Sequence, residues 1–352
     1  MNTLLRRLCQ RVPITQIELP SAESITDSGQ AQLIETLITI SESNPHYSKV
    51  FLKKFLPHLE SQGLEVSDDL YEKLCDWLPS QELQPTDYDT ISYSISEEVG
   101  NNDNINDMVM KIRESPRLIA GLGTTGLRTW EASLFLSEYI LHNLHRKREC
   151  STDQELEISS QLASQFDGKV VMELGCGTGF VGMALHQHYQ KMKKMILTDG
   201  DSQLFDNILY NMKLNGIDAT ADNLSITKLW WSESALPASE INTIIAADVT
   251  YDASVIPSLA QVLAEAMGQD NVSSGTNYGR VDVAYIAATV RNEETLKVWE
   301  EYLDMGTDDG IWTWCVTTSR PMEQSGIQKG AIWYPVGTPE IRIYKIDRNT
   351  NN

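Results

Sequence analysis

Apolar residues in the first 80 positions recur at the spacing of an α-helix. The segment QLIETLITI places Leu33, Ile34, Leu37 and Ile38 on one face, with the spacing i, i+1, i+4, i+5. The segments SKVFLKKFLPHLE and SDDLYEKLCDWL repeat the pattern, and the second begins with a serine and two acids that suit a helix start. Residues 1–80 are therefore predicted to form a helical module, which shows no chemistry of its own.

A polar and acidic passage, residues 81–113, follows this module. Within it YDTISYSIS alternates apolar and polar residues, and DMVMKIRES can pair with it across the loop EEVGNNDNIND. The passage is predicted to be a linker that contains a β-hairpin.

From about residue 114 the pattern changes to apolar strands that alternate with helices. The segments predicted to be strands are 170–174, 195–198, 224–230, 243–248, 281–289, 313–318 and 341–346. The first five are separated by helix-length segments such as LFDNILYNMKLNG, which implies a parallel sheet covered on both faces. The last two are joined by irregular sequence, as in an antiparallel hairpin. Residues 114–352 are therefore predicted to form an α/β domain with a seven-stranded, doubly wound sheet.

Composition and charge narrow the class of protein. A chain of 352 residues with 41% hydrophobic and 22% charged residues is typical of a globular protein with two or three domains, or of one large domain with an appendage. The net charge of −21 argues against direct binding to nucleic acid or anionic lipid, which needs a basic surface. An acidic surface suits a basic protein partner, although solubility alone also explains it.

The cysteines and the start of the chain indicate the cellular compartment in which the protein is found. The five cysteines are scattered and form no CxxC motif, which fits a reducing compartment and neither a disulfide framework nor a zinc site. No apolar run approaches the ~20 residues that span a bilayer. The start, MNTLLRRLCQRV, is basic and acid-poor like a mitochondrial presequence, but it lacks serines, and a plain first helix is favoured. We therefore expect a cytoplasmic protein.

The histidines do not indicate a metal centre. His142 lies close to His145 in the sequence, and His186 lies close to His188, but neither pair has an accompanying acid at the spacing of metal ligands. No metal site is predicted.

The stretch VVMELGCGTGF joins a predicted strand to a turn almost without side chains. Gly175, Gly177 and Gly179 let the backbone approach a ligand closely, as in a dinucleotide site, or simply form a tight turn. Glu173 would place a negative charge where a dinucleotide has its phosphates, so it favours a ligand with a cationic ammonium group, such as the methionine part of S-adenosylmethionine. Cys176 is interpreted as a small motif residue and not as a nucleophile, because no histidine motif lies nearby.

Polar and aromatic residues follow the next two predicted strands. Asp199, in TDGD, can accept hydrogen bonds from both hydroxyls of a ribose; Asp201 is the alternative, although a helix cap suits it better. In KLWWSE, one tryptophan can lie against adenine while the other packs in the core. The sequence leaves open whether Trp230 or Trp231 contacts the adenine.

The fourth predicted strand ends in IIAADVTYD. The small Ala247 leaves space beside the adenine, and Asp248 and Tyr251 can both point into the mouth of the cleft. The alternative for Asp248 is a cap of the following helix.

Taken together, these motifs resemble those of a known family. ELGCGTG, TDGD and AADVTYD look like motif I, the acidic loop and the post-motif DxxY of the family 16 lysine methyltransferases. Upstream, GTTGLRTWEASLFLSEYI resembles that family's GxxGxxxWxxA segment. The helical module is similar to the extension of the FAM86-like branch, the elongation factor 2 lysine methyltransferases.

The resemblance implies a Rossmann-like methyltransferase fold for residues 114–352, with S-adenosylmethionine as the cofactor. The cofactor residues carried over are Trp130, Gly175, Cys176, Gly177, Asp199, Trp231 and Ala247, and the glycine turn adds Glu173 and Gly179. It also implies a protein-lysine N-methyltransferase that acts on elongation factor 2, which the module at residues 1–80 would recognise. A monomer is expected.

In this interpretation Asp248 and Tyr251 are the catalytic residues. A lysine amine, with an ordinary pKa of about 10.4, must lose its proton before it attacks a methyl group. Burial lowers this pKa whereas a nearby carboxylate raises it, so Asp248 is assigned to orient the amine and not to act as a strong base. Tyr251 is assigned to the wall of the lysine channel, where its ring attracts a positive nitrogen.

Two alternatives stay open at this point. The chain could methylate another protein or a small molecule, because the sheet does not determine the acceptor. It could also be a non-catalytic partner protein that binds S-adenosylmethionine, although the presence of both Asp248 and Tyr251 argues against this.

Overall fold

The computed structural model describes residues 1–95, 108–117, 124–145, 152–231, 233–237, 240–268 and 281–349. The chain divides into two compact units. The first comprises Met1–Arg128 with Gln324–Val336, and the second comprises Thr129–Glu323 with Gly337–Asn352.

Helices predominate in the first 80 residues of the first unit, which confirms the predicted pattern. They are α1 (Asn2–Cys9), α2 (Asp27–Ser41), α3 (Pro45–Ser61) and α4 (Asp68–Trp77). On α2 the buried stripe is Leu33, Leu37 and Ile40, whereas Ile38 is 39% exposed. The inclusion of Ile38 in the core face was wrong, because a helical stripe advances by three or four residues and passes from Leu37 to Ile40.

A β-hairpin also belongs to the first unit. Strands β1 (Asp89–Ser94) and β2 (Val109–Glu114) pair antiparallel, as predicted, while most of their connecting loop lies outside the described residues. The buried carboxylate of Asp89 accepts two N–H bonds of 3.0 Å from the guanidinium of Arg11. This bidentate pair ties the hairpin to the chain just after α1.

The segment Gln324–Val336 returns to the same unit from far along the chain. The guanidinium of Arg7, on α1, donates to three backbone carbonyls of this segment at 2.7–3.0 Å. The side-chain amide of Gln10 bonds both backbone groups of Trp333, whose side chain is part of the core of the helices. The basic start of the chain forms α1, which is bonded to this returning segment.

The two units differ from the predicted domains in two places. The methyltransferase domain was predicted to begin at residue 114, whereas the second unit begins at Thr129. Residues 324–336 were assigned to that domain but belong to the first unit. Periodicity could not reveal this return, because the segment contains no helix or strand and its partners lie more than 300 positions away.

The second unit contains the predicted sheet of seven strands. They are β3 (Val170–Leu174), β4 (Lys194–Asp199), β5 (Leu224–Lys228), β6 (Thr243–Ala247), β7 (Val283–Thr289), β8 (Trp312–Arg320) and β9 (Ile341–Arg348). Their order across the sheet is β5-β4-β3-β6-β7-β9-β8. The first five run parallel, and β9 pairs antiparallel with both β7 and β8, which confirms the predicted terminal hairpin.

Among the described residues, six α-helices belong to the second unit. Two precede the first strand of the sheet, α5 (Glu131–His145) and α6 (Asp153–Phe166). The other four each follow a strand: α7 (Phe180–His188) follows β3, α8 (Phe205–Leu214) follows β4, α9 (Ile256–Met267) follows β6 and α10 (Glu293–Asp308) follows β7. The chain builds the sheet outward from β3 to β5 on one side and then from β6 to β7 on the other. The strand order therefore reverses between β3 and β6, and ligands of such sheets bind in the crevice at the carboxyl ends of the strands beside that point. The described fold is a doubly wound, Rossmann-like sheet.

Candidate functional site

The glycine turn after β3 requires its glycines for conformational reasons. Gly175, Gly177 and Gly179 have φ angles of +62°, +53° and +79°, in the left-handed region that side chains disfavour. A Cβ atom added to Gly175 would also lie 2.9 Å from Cγ1 of Val249, closer than packed carbon atoms approach. At Gly175, therefore, both the backbone conformation and the packing of Val249 exclude a side chain.

Polar side chains from three other parts of the second unit bond to this turn. The N–H of Gly177 donates to Oδ2 of Asp199, at the end of β4, over 2.9 Å. The side-chain amide of Asn211, on α8, donates to the carbonyl of Thr178 at 3.1 Å, and the hydroxyls of Thr178 and Thr129 lie 2.9 Å apart. No role was predicted for Thr129, Thr178 or Asn211, because a single threonine or asparagine carries no distinctive signal in the sequence.

Asp199 lies at the end of β4, as predicted, and is partly buried. It accepts the N–H of Gly177 on one oxygen and the N–H of Asp201 on the other, at 2.9 and 3.0 Å. Burial raises the pKa of this carboxyl, and the backbone hydrogen bonds oppose that rise. Asp201 caps the following turn by accepting from the N–H of Gln203, which confirms the helix-cap alternative for that residue.

Glu173 does not face the crevice. Its side chain is buried at 2% exposure, and Oε2 accepts the N–H of Gly182, in the first turn of α7, at 2.9 Å. The expected contact between this carboxylate and an ammonium group therefore has no support in the structure, because the side chain is buried and bonded to α7. Its position at a helix start is one that favours a negative charge or a hydrogen-bond acceptor.

The buried position of Glu173 has a consequence for stability. Burial raises the pKa of Glu173 from 4.5 to about 8, opposed by the Gly182 bond and increased by the charge of Asp199. Between these two pH values the folded protein keeps a proton that the unfolded chain has released. The stabilising contribution of this group is therefore complete below pH 4.5 and is lost as the pH rises through about 8.

We therefore expect the free energy of unfolding of the wild type to fall with pH, by up to about 1.4 kcal/mol per pH unit, relative to that of Glu173→Gln. Glutamine keeps the acceptor for Gly182 and cannot ionise. Urea unfolding of both proteins at several values between pH 5 and 8 measures the difference. Glu240→Gln, at an exposed glutamate paired with Lys193, is the control and should show no such trend. A difference that stays constant with pH would mean that Glu173 is ionised in the folded protein throughout this range.

The two tryptophans after β5 lie beside different glycines. Trp230 is 50% exposed, and a Cβ atom on Gly200 would lie 2.8 Å from its Cε3. Trp231 is partly buried against the core of the sheet, and its Cζ2 lies 3.6 Å from the position of a Cβ atom on Gly175. Trp231 thus borders the glycine turn, whereas Trp230 borders the residue after Asp199.

Asp248 follows β6 directly, and its neighbours were not expected. It has a φ angle of +59°, which is uncommon outside glycine, and it is 7% exposed. Its two carboxylate oxygens accept bonds of 2.7 and 2.6 Å from the two terminal nitrogens of Arg291. Ala247 is the last, partly buried residue of β6, and Tyr251 is 52% exposed on the loop that follows.

Arg291 also connects Asp248 to the start of α5. Its Cζ lies 4.8 Å from the centre of the Trp130 ring, and Nη2 lies 3.9 Å from Oε2 of Glu131. Burial alone would lower the pKa of Arg291, but the bond and charge of Asp248, with the charge of Glu131, raise it, so the guanidinium is charged. Neither Arg291 nor Glu131 was predicted to belong to the site, although Arg291 follows β7 at the same edge of the sheet.

Other chemistry is not supported at this edge. Cys176 is buried, and burial raises the pKa of its thiol, which disfavours the thiolate that a nucleophile needs. In the part of the chain that the structure describes, His, Cys, Asp and Glu side chains form no group that could hold a metal ion. Within the same residues, no helix is both long and apolar enough to cross a bilayer.

The residues at this edge fit the predicted methyl-donor cofactor. Gly175 and Gly177 offer partly buried backbone without side chains, Asp199 offers a partly buried carboxylate at the end of β4, and two tryptophans offer flat apolar surfaces. These three features match an amino-acid moiety, a ribose and an adenine in turn. The side chains seen to bond the turn, those of Thr129, Asp199 and Asn211, carry no positive charge that would favour phosphates.

Comparison with known proteins agrees with this geometry. The family described as "Lysine methyltransferase" matches residues 105–280, which is half of the chain. The protein-lysine N-methyltransferase EFM3 of Saccharomyces cerevisiae is 29% identical over 97% of this chain and 97% of its own. EFM3 of Chaetomium thermophilum is 28% identical over 99% and 98%, and EEF2KMT of Mus musculus is 27% identical over 80% and 78%. The chain therefore belongs to the family 16 lysine methyltransferases, in their FAM86-like branch, and is a protein-lysine methyltransferase that uses S-adenosylmethionine.

Proposed function

We propose that this enzyme methylates a lysine of translation elongation factor 2. The observation that carries the proposal is the extent of the similarity, which includes the helical first unit as well as the sheet. Relatives named EFM3 match nearly the whole chain, and those named EEF2KMT match about four fifths of it. The resemblance of residues 1–80 to the extension of the elongation factor 2 enzymes supports the same target.

We further propose how the cofactor is held. The backbone of Gly175, Cys176, Gly177 and Gly179 would receive its amino-acid moiety, and Asp199 would bind the ribose hydroxyls. Trp231 and Ala247 would contact the adenine, and Trp130 would contact the cofactor from the start of α5. Glu173 would act indirectly, by fixing α7 and the turn above it through Gly182.

The transfer itself needs an oriented, neutral amine. When bound, S-adenosylmethionine supplies a sulfonium methyl group, whose S–C bond breaks as the new N–C bond forms. The target lysine first releases its proton to solvent, because an ammonium has no lone pair with which to attack. Asp248 would accept a hydrogen bond from the amine and orient it, and the exposed ring of Tyr251 would form a wall of the lysine channel.

The first unit is proposed to recognise the protein substrate. The residues proposed to bind the cofactor and the target lysine all belong to the second unit and not to the first. The protein is proposed to act as a monomer in the cytoplasm, where ribosomal factors are found. Free thiols at Cys9, Cys75, Cys176 and Cys315 support a reducing compartment.

Mass spectrometry of elongation factor 2 tests the target directly. The factor, purified from cells that lack the enzyme, is incubated with enzyme and S-adenosylmethionine, and one lysine-containing peptide should gain the mass of one or more methyl groups. The Asp248→Ala enzyme is the control for contaminating activity. If the factor gains no methyl group while tritiated methyl enters other proteins of the lysate, the proposed target is wrong but the enzyme class stands.

A further inference from the structure

Arg291 lies beside the proposed lysine site, two residues beyond the end of β7. We propose that Arg291 is a positioning residue for methyl transfer: it neutralises Asp248 and fixes its carboxylate, so that Asp248 orients the target amine without keeping it protonated. The inference rests on the role proposed above for Asp248.

The contacts of Arg291 fix the Asp248 carboxylate in both distance and plane. Two N–H bonds of 2.7 and 2.6 Å join the guanidinium to both carboxylate oxygens, the bidentate geometry that only arginine can provide. Trp130 lies 4.8 Å from Cζ, so the guanidinium is also held against a ring. Asp248 itself is 4% exposed in its side chain, so few waters can compete for it.

The bidentate pair leaves Asp248 able to bind an amine. A carboxylate has about four lone-pair sites, of which Arg291 uses one on each oxygen. The remaining sites can accept a hydrogen bond from the target nitrogen. The left-handed backbone of Asp248 costs conformational energy, and such strain persists where surrounding contacts over-determine the conformation, as the Arg291 pair does here.

The charge of Arg291 lets Asp248 orient the target amine without favouring the protonated form of that amine. An unpaired carboxylate within hydrogen-bonding reach of a lysine stabilises the ammonium form and would raise the pKa of the amine. The guanidinium cancels most of this effect while the hydrogen bond is kept. The guanidinium of Arg291 lies close to two carboxylates, that of Asp248 after β6 and that of Glu131 at the start of α5. The Asp248 carboxylate is the closer of the two.

The decisive measurement is turnover as a function of pH. In Arg291→Met the apparent pKa for turnover should rise by about 1 unit, because the amine then faces an unneutralised carboxylate. Turnover should accordingly fall about tenfold near pH 7.5 and recover toward the wild-type value near pH 9.5. Arg291→Lys keeps the charge but loses the bidentate geometry, so we expect a wild-type pH profile with lower turnover throughout. The affinity for S-adenosylmethionine should stay within a few-fold in both.

Two controls separate this role from a structural one. In the Asp248→Asn background, Arg291→Met should cause no further shift of the profile, because no charge remains to be neutralised. Arg348→Met removes the pair with Asp282 just before β7, at the opposite end of the same strand, and should leave the profile unchanged. An equal loss of turnover at every pH in Arg291→Met, with no shift, would mean that Arg291 only supports the fold, and the proposal would be overturned.

The protein that accepts the methyl group is chosen so that the test of Arg291 does not depend on elongation factor 2 being the target. Elongation factor 2 is used if the wild type methylates it, and otherwise the proteins of a lysate from cells lacking the enzyme, with tritiated methyl transfer as the readout. Failure of the wild type on elongation factor 2 refutes that target alone. Wild-type turnover in Asp248→Asn refutes the role of Asp248, and the pH profile of Arg291→Met decides the role of Arg291.

Discussion

Replacement of Asp248 by asparagine is expected to lower the rate of methyl transfer about 10²-fold, the scale on which one positioned polar group affects turnover. Asparagine keeps a single acceptor oxygen and loses the charge. Because the N–H groups of Arg291 need an acceptor, the amide oxygen should turn toward the guanidinium and leave its NH2 group facing the amine. The orienting acceptor is then absent. Binding of S-adenosylmethionine should change little, since the proposed cofactor contacts lie on other residues.

Asparagine is a sharper probe here than alanine. Asp248 has a φ angle of +59°, and asparagine is among the few residues that adopt this left-handed conformation readily. Alanine would add roughly 1–2 kcal/mol of backbone strain and leave Arg291 without its bidentate partner, so a loss of activity would mix two causes. A larger loss of both turnover and thermal stability is expected for Asp248→Ala than for Asp248→Asn.

Single-turnover kinetics with saturating cofactor measures this effect, and calorimetry measures cofactor affinity in parallel. Asp252→Asn serves as the control, because Asp252 is an exposed aspartate on the same loop whose carboxylate bonds only Ser254 among the described contacts. It should retain wild-type turnover. Transfer by Asp248→Asn at the wild-type rate would identify Asp248 as a structural partner of Arg291, and the proposed lysine site would be wrong.

The sheet could be predicted because its buried strands appear in the sequence as short, mostly apolar segments. Strand β3 was predicted at 170–174 and has these bounds in the structure, since a strand buried on both faces is mostly apolar and glycine follows this one. Parallel topology then places the residues after β4 and β6 at one edge, which is why Asp199 and Asp248 could be identified without coordinates.

The pairing of side chains within that edge could not be predicted in the same way. Asp248 and Arg291 are 43 positions apart and lie on loops, where no periodicity specifies a partner. Glu173 was assigned to the crevice because strand periodicity does not distinguish the two faces of a strand that is buried on both. The face was decided by α7, whose Gly182 leaves room for the carboxylate: a Cβ atom there would lie 2.6 Å from Oε2.

Substitution of Gly177 by arginine is expected to abolish binding of S-adenosylmethionine within the range of calorimetry. Gly177 lies at the centre of the turn proposed to receive the cofactor, and its N–H is bonded to Asp199, so the backbone cannot move aside without loss of that bond. A side chain at this position would occupy the surface that the glycines leave free. The circular dichroism spectrum should change little, because the turn lies between β3 and α7 and belongs to neither.

The matched control for this substitution is Gly216→Arg. Gly216 also has a positive φ angle, +66° against +53° for Gly177, so both variants carry a similar backbone strain of roughly 1–2 kcal/mol. A Cβ atom on Gly216 would meet no atom within 4 Å, and the residue follows α8, outside the glycine turn. The control should therefore lose a little stability and bind the cofactor with wild-type affinity. If the Gly177 variant binds it equally well, the three glycines serve only to turn the chain from β3 into α7, and the cofactor must lie elsewhere along the edge of the sheet.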